Sequence, residues 1–132
     1  MKGLSWACKA SNSRAGTLPS MKITPASCRA IYEMLVQVHP FKRLNMPPSI
    51  EVTFKVNDDP TCYGQYEPDP HTITMYRAKL SHLDNVIKTM AHEMVHLKLY
   101  QAKSKSWNTH DQNFDKYAVL VSEEFGFDPK EF

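Results

Sequence analysis

No apolar run in this 132-residue chain approaches the roughly 20 residues that a membrane-spanning helix needs, so no membrane association is expected. The apolar h-region of a secretion signal is missing too, although a basic, acid-poor start is also what a short transit peptide has. Cysteine is sparse: Cys8, Cys28 and Cys62 are odd in number, widely spaced, and form no CxxC pair. That pattern argues against a cysteine-built structural zinc site and predicts free thiols in a reducing compartment, cytoplasmic or otherwise intracellular. A net charge of +2 is too small to argue for nucleic acid by itself. Internal repeats and low-complexity tracts are also absent, which leaves no repeat architecture to consider.

What remains is ordinary globular material, 42% apolar and 23% charged. A chain of this length buries about two-thirds of its unfolded surface around one core, so a monomer that folds alone is expected. Residues 1–20 are rich in Ser, Lys and Arg with little periodicity and read as a flexible basic leader, Met21 being a possible alternative start; residues 21–132 then form the domain. No acid precedes Glu33.

The coarse reading is α+β. Thr24-Pro25 is an N-cap followed by proline at the first helical position, and Cys28, Ile31, Met34, Leu35 and Val38 repeat at helical spacing up to Pro40. After Pro47-Pro48, the residues Ile50, Val52, Phe54 and Val56 alternate with polar ones as in a half-buried strand. Stretches 61–66 and 72–76 give two further strands, joined by the Pro68-Asp69-Pro70 turn. A small three-stranded antiparallel sheet is predicted, followed by two helices.

The first of these helices carries His92-Glu93-Met94-Val95-His96, an HExxH pentad. Residues four apart are neighbours on a helix, so both imidazoles can meet one zinc ion while Glu93 flanks it as a general base for an activated water. Ser81 and Asp84 have capping-box spacing and would start this helix, which runs to about Gln101. At about 100° per residue, Leu83, Val86, Ile87, Met90, Met94 and Leu97 share one face, whereas His92, His96, Thr89, Glu93 and Tyr100 share the opposite side. Val95 and Leu99 make that far side apolar too, so a helix buried almost all round, its histidines opening into a cleft, is expected.

A catalytic zinc takes three protein ligands and keeps one position open for water. His110 is a candidate third ligand, placed in the first turn of a helix with Thr109 as N-cap and Gln112 three residues on. Glu123 and Glu124 of the same helix are alternatives, and a plain surface histidine is the bland reading of His110. The helix itself is anchored by Phe114, Tyr117, Ala118, Val121 and Phe125.

HEMVH, a spacer of 13 residues, and His110 followed four residues later by Phe114 together resemble the SprT-like zinc metallopeptidases, which include the protease domain of Spartan. The resemblance spans roughly residues 24–127. It implies a minimal zincin-like domain, Zn²⁺ held by His92, His96 and His110, Glu93 as catalytic base, and a protein or peptide substrate. The chain departs from the family pattern at Asp111, where many relatives carry Gly, and has no Cys-rich zinc ribbon after the last helix.

Two other features bear on partners. Tyr63-Gly64 lies where a sheet edge could accept an extended peptide, Gly64 allowing close approach, and Tyr63, Tyr66, Tyr76, Tyr100 and Tyr117 include candidates for steadying an oxyanion. The basic stretch from Lys98 through Lys105, beside Trp107, is a weaker pointer to DNA, with a solvated loop as the simpler account. The competing functional readings are a non-catalytic zinc-stabilised binding module and, less well supported, a metal-dependent nuclease.

Overall fold

The computed structural model describes residues 22–132, so the expected basic leader, the alternative start and Cys8 lie outside the described residues. The first helix, α1 (Pro25–Leu35), begins as its sequence demands. Thr24 is extended at φ −131° and ψ 163°, and its hydroxyl accepts from the Ser27 amide at 3.1 Å. Ser27 returns the bond to the Thr24 amide at 2.9 Å, which completes a capping box. Cys28, Ile31, Tyr32 and Leu35 face the core, but Met34 does not; it is 43% exposed. The helix stops at Leu35, and Val38 lies beyond it in the turns that follow.

Burial pushes the Cys28 thiol up to about 11. A folded-state value above the unfolded 9.0 means that the stabilisation is complete below pH 9 and is lost as pH rises toward 11. Over that window the native protein should lose roughly 2–3 kcal/mol through this residue. Urea unfolding at pH 8 and pH 10.5 will show it: Cys28→Ala should shrink the pH-dependent loss, and an unchanged loss would remove the thiol as its source.

Between α1 and the sheet, the Tyr32 hydroxyl donates to the Pro47 carbonyl at 2.6 Å. Residues Ser49–Glu51 then form a 3₁₀ turn instead of the start of a strand. Ile50 is consequently thrown outward, 86% exposed, and only Val52, Phe54 and Val56 of the alternating set pack inward.

The sheet comprises β1 (Thr53–Asn57), β2 (Gly64–Glu67) and β3 (Thr72–Tyr76) in the order β1-β3-β2. β2 pairs antiparallel with β3 through the expected hairpin, with Tyr66 opposite Ile73, but β1 runs parallel to β3, with Phe54 beside Ile73. The sheet is therefore mixed, not antiparallel. The hairpin inserts β3 between its two predecessors, and a strand reached by two reversals must run parallel to the first. Strand β3 is buried at all five positions, as a strand covered on both faces should be, while β1 alternates. The strand expected over residues 61–66 starts later, at Gly64.

Helix α2 (Leu83–Gln101) packs against α1, β2, β3 and the last helix, α3 (Gln112–Phe125). It is the central rod of the molecule. Eleven of its residues are buried, among them Val86, Met90, Met94, Val95, Leu97 and Leu99. Leu83, assigned to the apolar stripe, is the first residue of the helix and is 54% exposed. The Ser81 capping box does not form: His82 occupies the N-cap without a side-chain bond, and the Asp84 carboxylate accepts from the Asn85 amide at 2.9 Å. Helix α3 starts two residues later than expected. Asp111, not Thr109, is its N-cap, accepting from the Asn113 and Phe114 amides at 3.0 and 3.3 Å. Gly126, at φ +77°, ends α3 in the left-handed conformation that its missing side chain permits.

The free-thiol expectation holds for Cys28 and fails for Cys62, which is disulfide-bonded. The cysteine argument for a reducing compartment falls with it. No helix among the described residues is long and apolar enough to cross a membrane.

Candidate metal centre

His92 and His96 project from adjacent turns in the middle of α2, and both are fully buried. His110 reaches them from the loop between α2 and α3, held by the backbone that leads into the Asp111 cap rather than by a helical turn. The His110 Nε2 lies 3.0 Å from the Nε2 of His92 and 3.2 Å from that of His96. Ligand atoms of all three rings lie within 4.8 Å of one another. Zinc–nitrogen bonds of 2.0–2.1 Å at tetrahedral angles would put neighbouring nitrogens about 3.3 Å apart, so His110 stands at close to ligand spacing from both other rings. No other His, Cys, Asp or Glu joins this cluster among the described residues; Glu123 and Glu124 are exposed on α3.

The ring orientations suit metal binding. His96 Nδ1 sits 2.7 Å from the Trp107 carbonyl, which can only accept, so the proton belongs on Nδ1 and the Nε2 lone pair turns to the cluster. The Phe132 backbone acts on the His92 ring as an acceptor does, raising its pKa against the larger lowering by burial. Phe114 backs all three imidazoles, with ring centroids 4.8 Å from His92, 4.8 Å from His96 and 4.5 Å from His110. Desolvation, and then the neighbouring histidines, push the His92 pKa well down. Burial lowers that of His96 to about 4, so both rings are neutral ligands at ordinary pH.

Glu93 lies against the start of β2. Its carboxylate is fully buried, neither oxygen has a hydrogen-bond partner among the described residues, and burial raises its pKa well above the ordinary carboxylate range. An unpaired carboxyl in such a place is costly unless something other than protein atoms completes it. A dication held by the flanking histidines, with its water, has the charge and the donors to do so.

Gly64 makes this packing possible. A Cβ there would lie 2.7 Å from Thr89 Cγ2 and 3.2 Å from Glu93 Oε2. The side of Gly64 that a side chain would occupy is thus turned to α2, against Thr89 and Glu93. Gly64→Ala should cost about 1–3 kcal/mol by overpacking. Adding Thr89→Ser, which removes the methyl that the new Cβ meets, should recover most of the loss in urea denaturation, and an equal loss in single and double variants would discount the contact.

Four of the tyrosines named from the sequence have defined partners. Tyr63 places its ring under the Lys79 ammonium at 5.2 Å. The hydroxyls of Tyr66, Tyr76 and Tyr100 are bonded to His71 Nδ1 at 2.6 Å, to Gln65 at 3.0 Å and to Asp69 at 2.6 Å. In the basic stretch, Lys98 donates to the Leu44 carbonyl at 2.9 Å, while Lys103 and Lys105 line an open cavity with Trp107 and Tyr100. The carbonyl of Trp107, the backbone of Phe132 and the Gly64–Glu93 contact escape sequence reasoning, because backbone groups and interelement contacts leave no residue-type signature.

A helix-borne HExxH pair is thus joined by a third histidine from the next connection, in an α+β frame, and the three together could hold a metal ion. A family model described as the SprT-like family matches residues 30–131, most of the chain. The chain belongs to the SprT-like family. Neither the curated proteins nor the solved structures include one that matches it.

Proposed function

We propose that this chain is a zinc metallopeptidase of minimal zincin-like architecture, with His92, His96 and His110 as the ligands and Glu93 as the catalytic base. The observation that carries the reading is the convergence of three Nε2 atoms beside a buried carboxyl that has no protein partner among the described residues. Bound zinc would supply Lewis acidity, acidifying water and polarising a carbonyl. Glu93 takes the proton of the attacking water and hands it to the departing amine. The Trp107 carbonyl keeps His96 in the tautomer that leaves Nε2 free, and Phe114 excludes bulk water from the rear of the cluster. A substrate is an extended segment of protein, with DNA-associated proteins as one source. Tyr63 and the edge of β2 are the expected place for its backbone.

Three protein donors leave a coordination position for water, which supports a catalytic over a structural site. The full burial of His92, Glu93 and His96 favours the second reading, a zinc-stabilised binding module. Zinc-loaded protein should degrade casein and leave labelled single-stranded DNA intact. Stoichiometric zinc with no proteolysis of any unfolded substrate would turn the assignment to the binding module, and cleavage of the DNA would turn it to a nuclease.

A further inference from the structure

Both oxygens of Glu93 and, one turn earlier on α2, the hydroxyl of Thr89 are buried without a hydrogen-bond partner among the described residues. Neither residue has any exposed surface. Side chains four positions apart stack on one helix face. The point that a Cβ on Gly64 would occupy is 2.7 Å from Thr89 Cγ2 and 3.2 Å from Glu93 Oε2, so both side chains pack against the same stretch of β2. A hydroxyl and a carboxyl sealed from water are each costly when unpaired. The two are complementary, since a hydroxyl donates and a carboxylate only accepts. Other donors are spent: the Tyr76 hydroxyl donates to Gln65 at 3.0 Å, and the amides in the middle of α2 bond within the helix. Threonine in a helix uses two χ1 rotamers, which gives its hydroxyl a second direction.

We propose that Thr89 is a positioning residue, its hydroxyl donating to one Glu93 oxygen and thereby aiming the other at the attacking water. The reaction in this statement rests on the peptidase reading, whereas the pairing of the two side chains does not. A general base uses one oxygen for the proton that it accepts and returns, so the second is open to a donor from the protein. A hydrogen bond there holds the carboxyl plane through both transfers, and bonds to a charged acceptor are the stronger kind.

Melting of the zinc-loaded protein tests the pair without reference to activity. Thr89→Val keeps the shape of the side chain and removes the hydroxyl, and the sign of its effect decides. Deleting one partner of a buried bond destabilises, whereas replacing an unpaired hydroxyl by a methyl is neutral or stabilising. Thr89→Val should therefore lower the melting temperature, and should not lower it in a Glu93→Met background, where no carboxyl is left to pair. An unchanged or raised melting temperature, or an equal fall in both backgrounds, would overturn the pair. Peptide hydrolysis tests the aim. Thr89→Val should lower kcat about 10–100-fold with KM unchanged, and Thr89→Ser, which keeps the hydroxyl, should retain most of the wild-type kcat. Wild-type kcat in Thr89→Val, or Thr89→Ser as slow as Thr89→Val, would overturn the positioning role and keep the peptidase. A wild type without peptidase activity overturns the peptidase reading and the aim of its base together, and a melting cycle as expected then keeps the pair.

Discussion

Glu93→Gln protein is expected to bind zinc at full stoichiometry and to hydrolyse casein about 10²–10⁴-fold more slowly than the unaltered chain. The substitution conserves shape at a position with no exposure, packed between α2 and the Gly64 backbone, so no cavity and no overpacking accompany it. It removes the one property that the reaction needs there, the capacity to accept and return a proton. Zinc binding should survive because Glu93 is not among the three converging donors. The metal-free forms should differ in the opposite direction from the enzymatic ones. The buried carboxyl resists ionisation, so the native state forgoes the ionisation that the unfolded chain gains as pH rises above the ordinary carboxylate value of 4.5. A glutamine has no such loss, and metal-free Glu93→Gln should be the more stable protein at neutral pH. Wild-type rates in zinc-replete Glu93→Gln, measured after removal of contaminating protease, would end the general-base assignment.

Why was the centre of this site legible in the sequence when its surroundings were not? His92, Glu93 and His96 lie within one helical segment, where a spacing of four converts directly into proximity. The frame of α2 could be read because Val86, Met90, Met94 and Leu97 repeat at helical period, and all four are buried. His110 could be named by its place downstream, but its setting could not. Thr109 and Asp111 are both able caps, and only the chain's path shows Asp111 bonding the Asn113 and Phe114 amides. Nor could the sheet's pairing be read. Alternation of apolar and polar residues reports which face is buried and is blind to the direction of a neighbouring strand, so the parallel β1–β3 pairing emerges only from the hairpin that places β3 in the middle. Ile50 failed for a related reason: it fits the alternation of β1, yet Ser49–Glu51 turns after Pro48 before the strand begins.

The second large effect belongs to the third ligand. His110→Ala should weaken zinc binding by more than about 100-fold, since loss of a mere outer-shell partner already costs 10–100-fold. Its neighbours should stay in place. His110 is exposed, it precedes α3, and the cap on that helix is the Asp111 carboxylate, which the substitution leaves untouched. The expected signature is therefore thermodynamic linkage without unfolding. At free zinc 1,000 times the wild-type dissociation constant, wild type gains about 4 kcal/mol from the metal, and a variant bound 100-fold more weakly gains about 1.4 kcal/mol. The zinc-dependent rise in melting temperature should shrink accordingly while the metal-free melting temperatures stay close. Glu124→Ala is the control. Glu124 shares α3 and lies exposed, away from the cluster, so its removal should leave the zinc-dependent rise unchanged. If His110→Ala keeps the wild-type zinc affinity, or Glu124→Ala loses it, the ligand set is not the one that the three converging nitrogens describe.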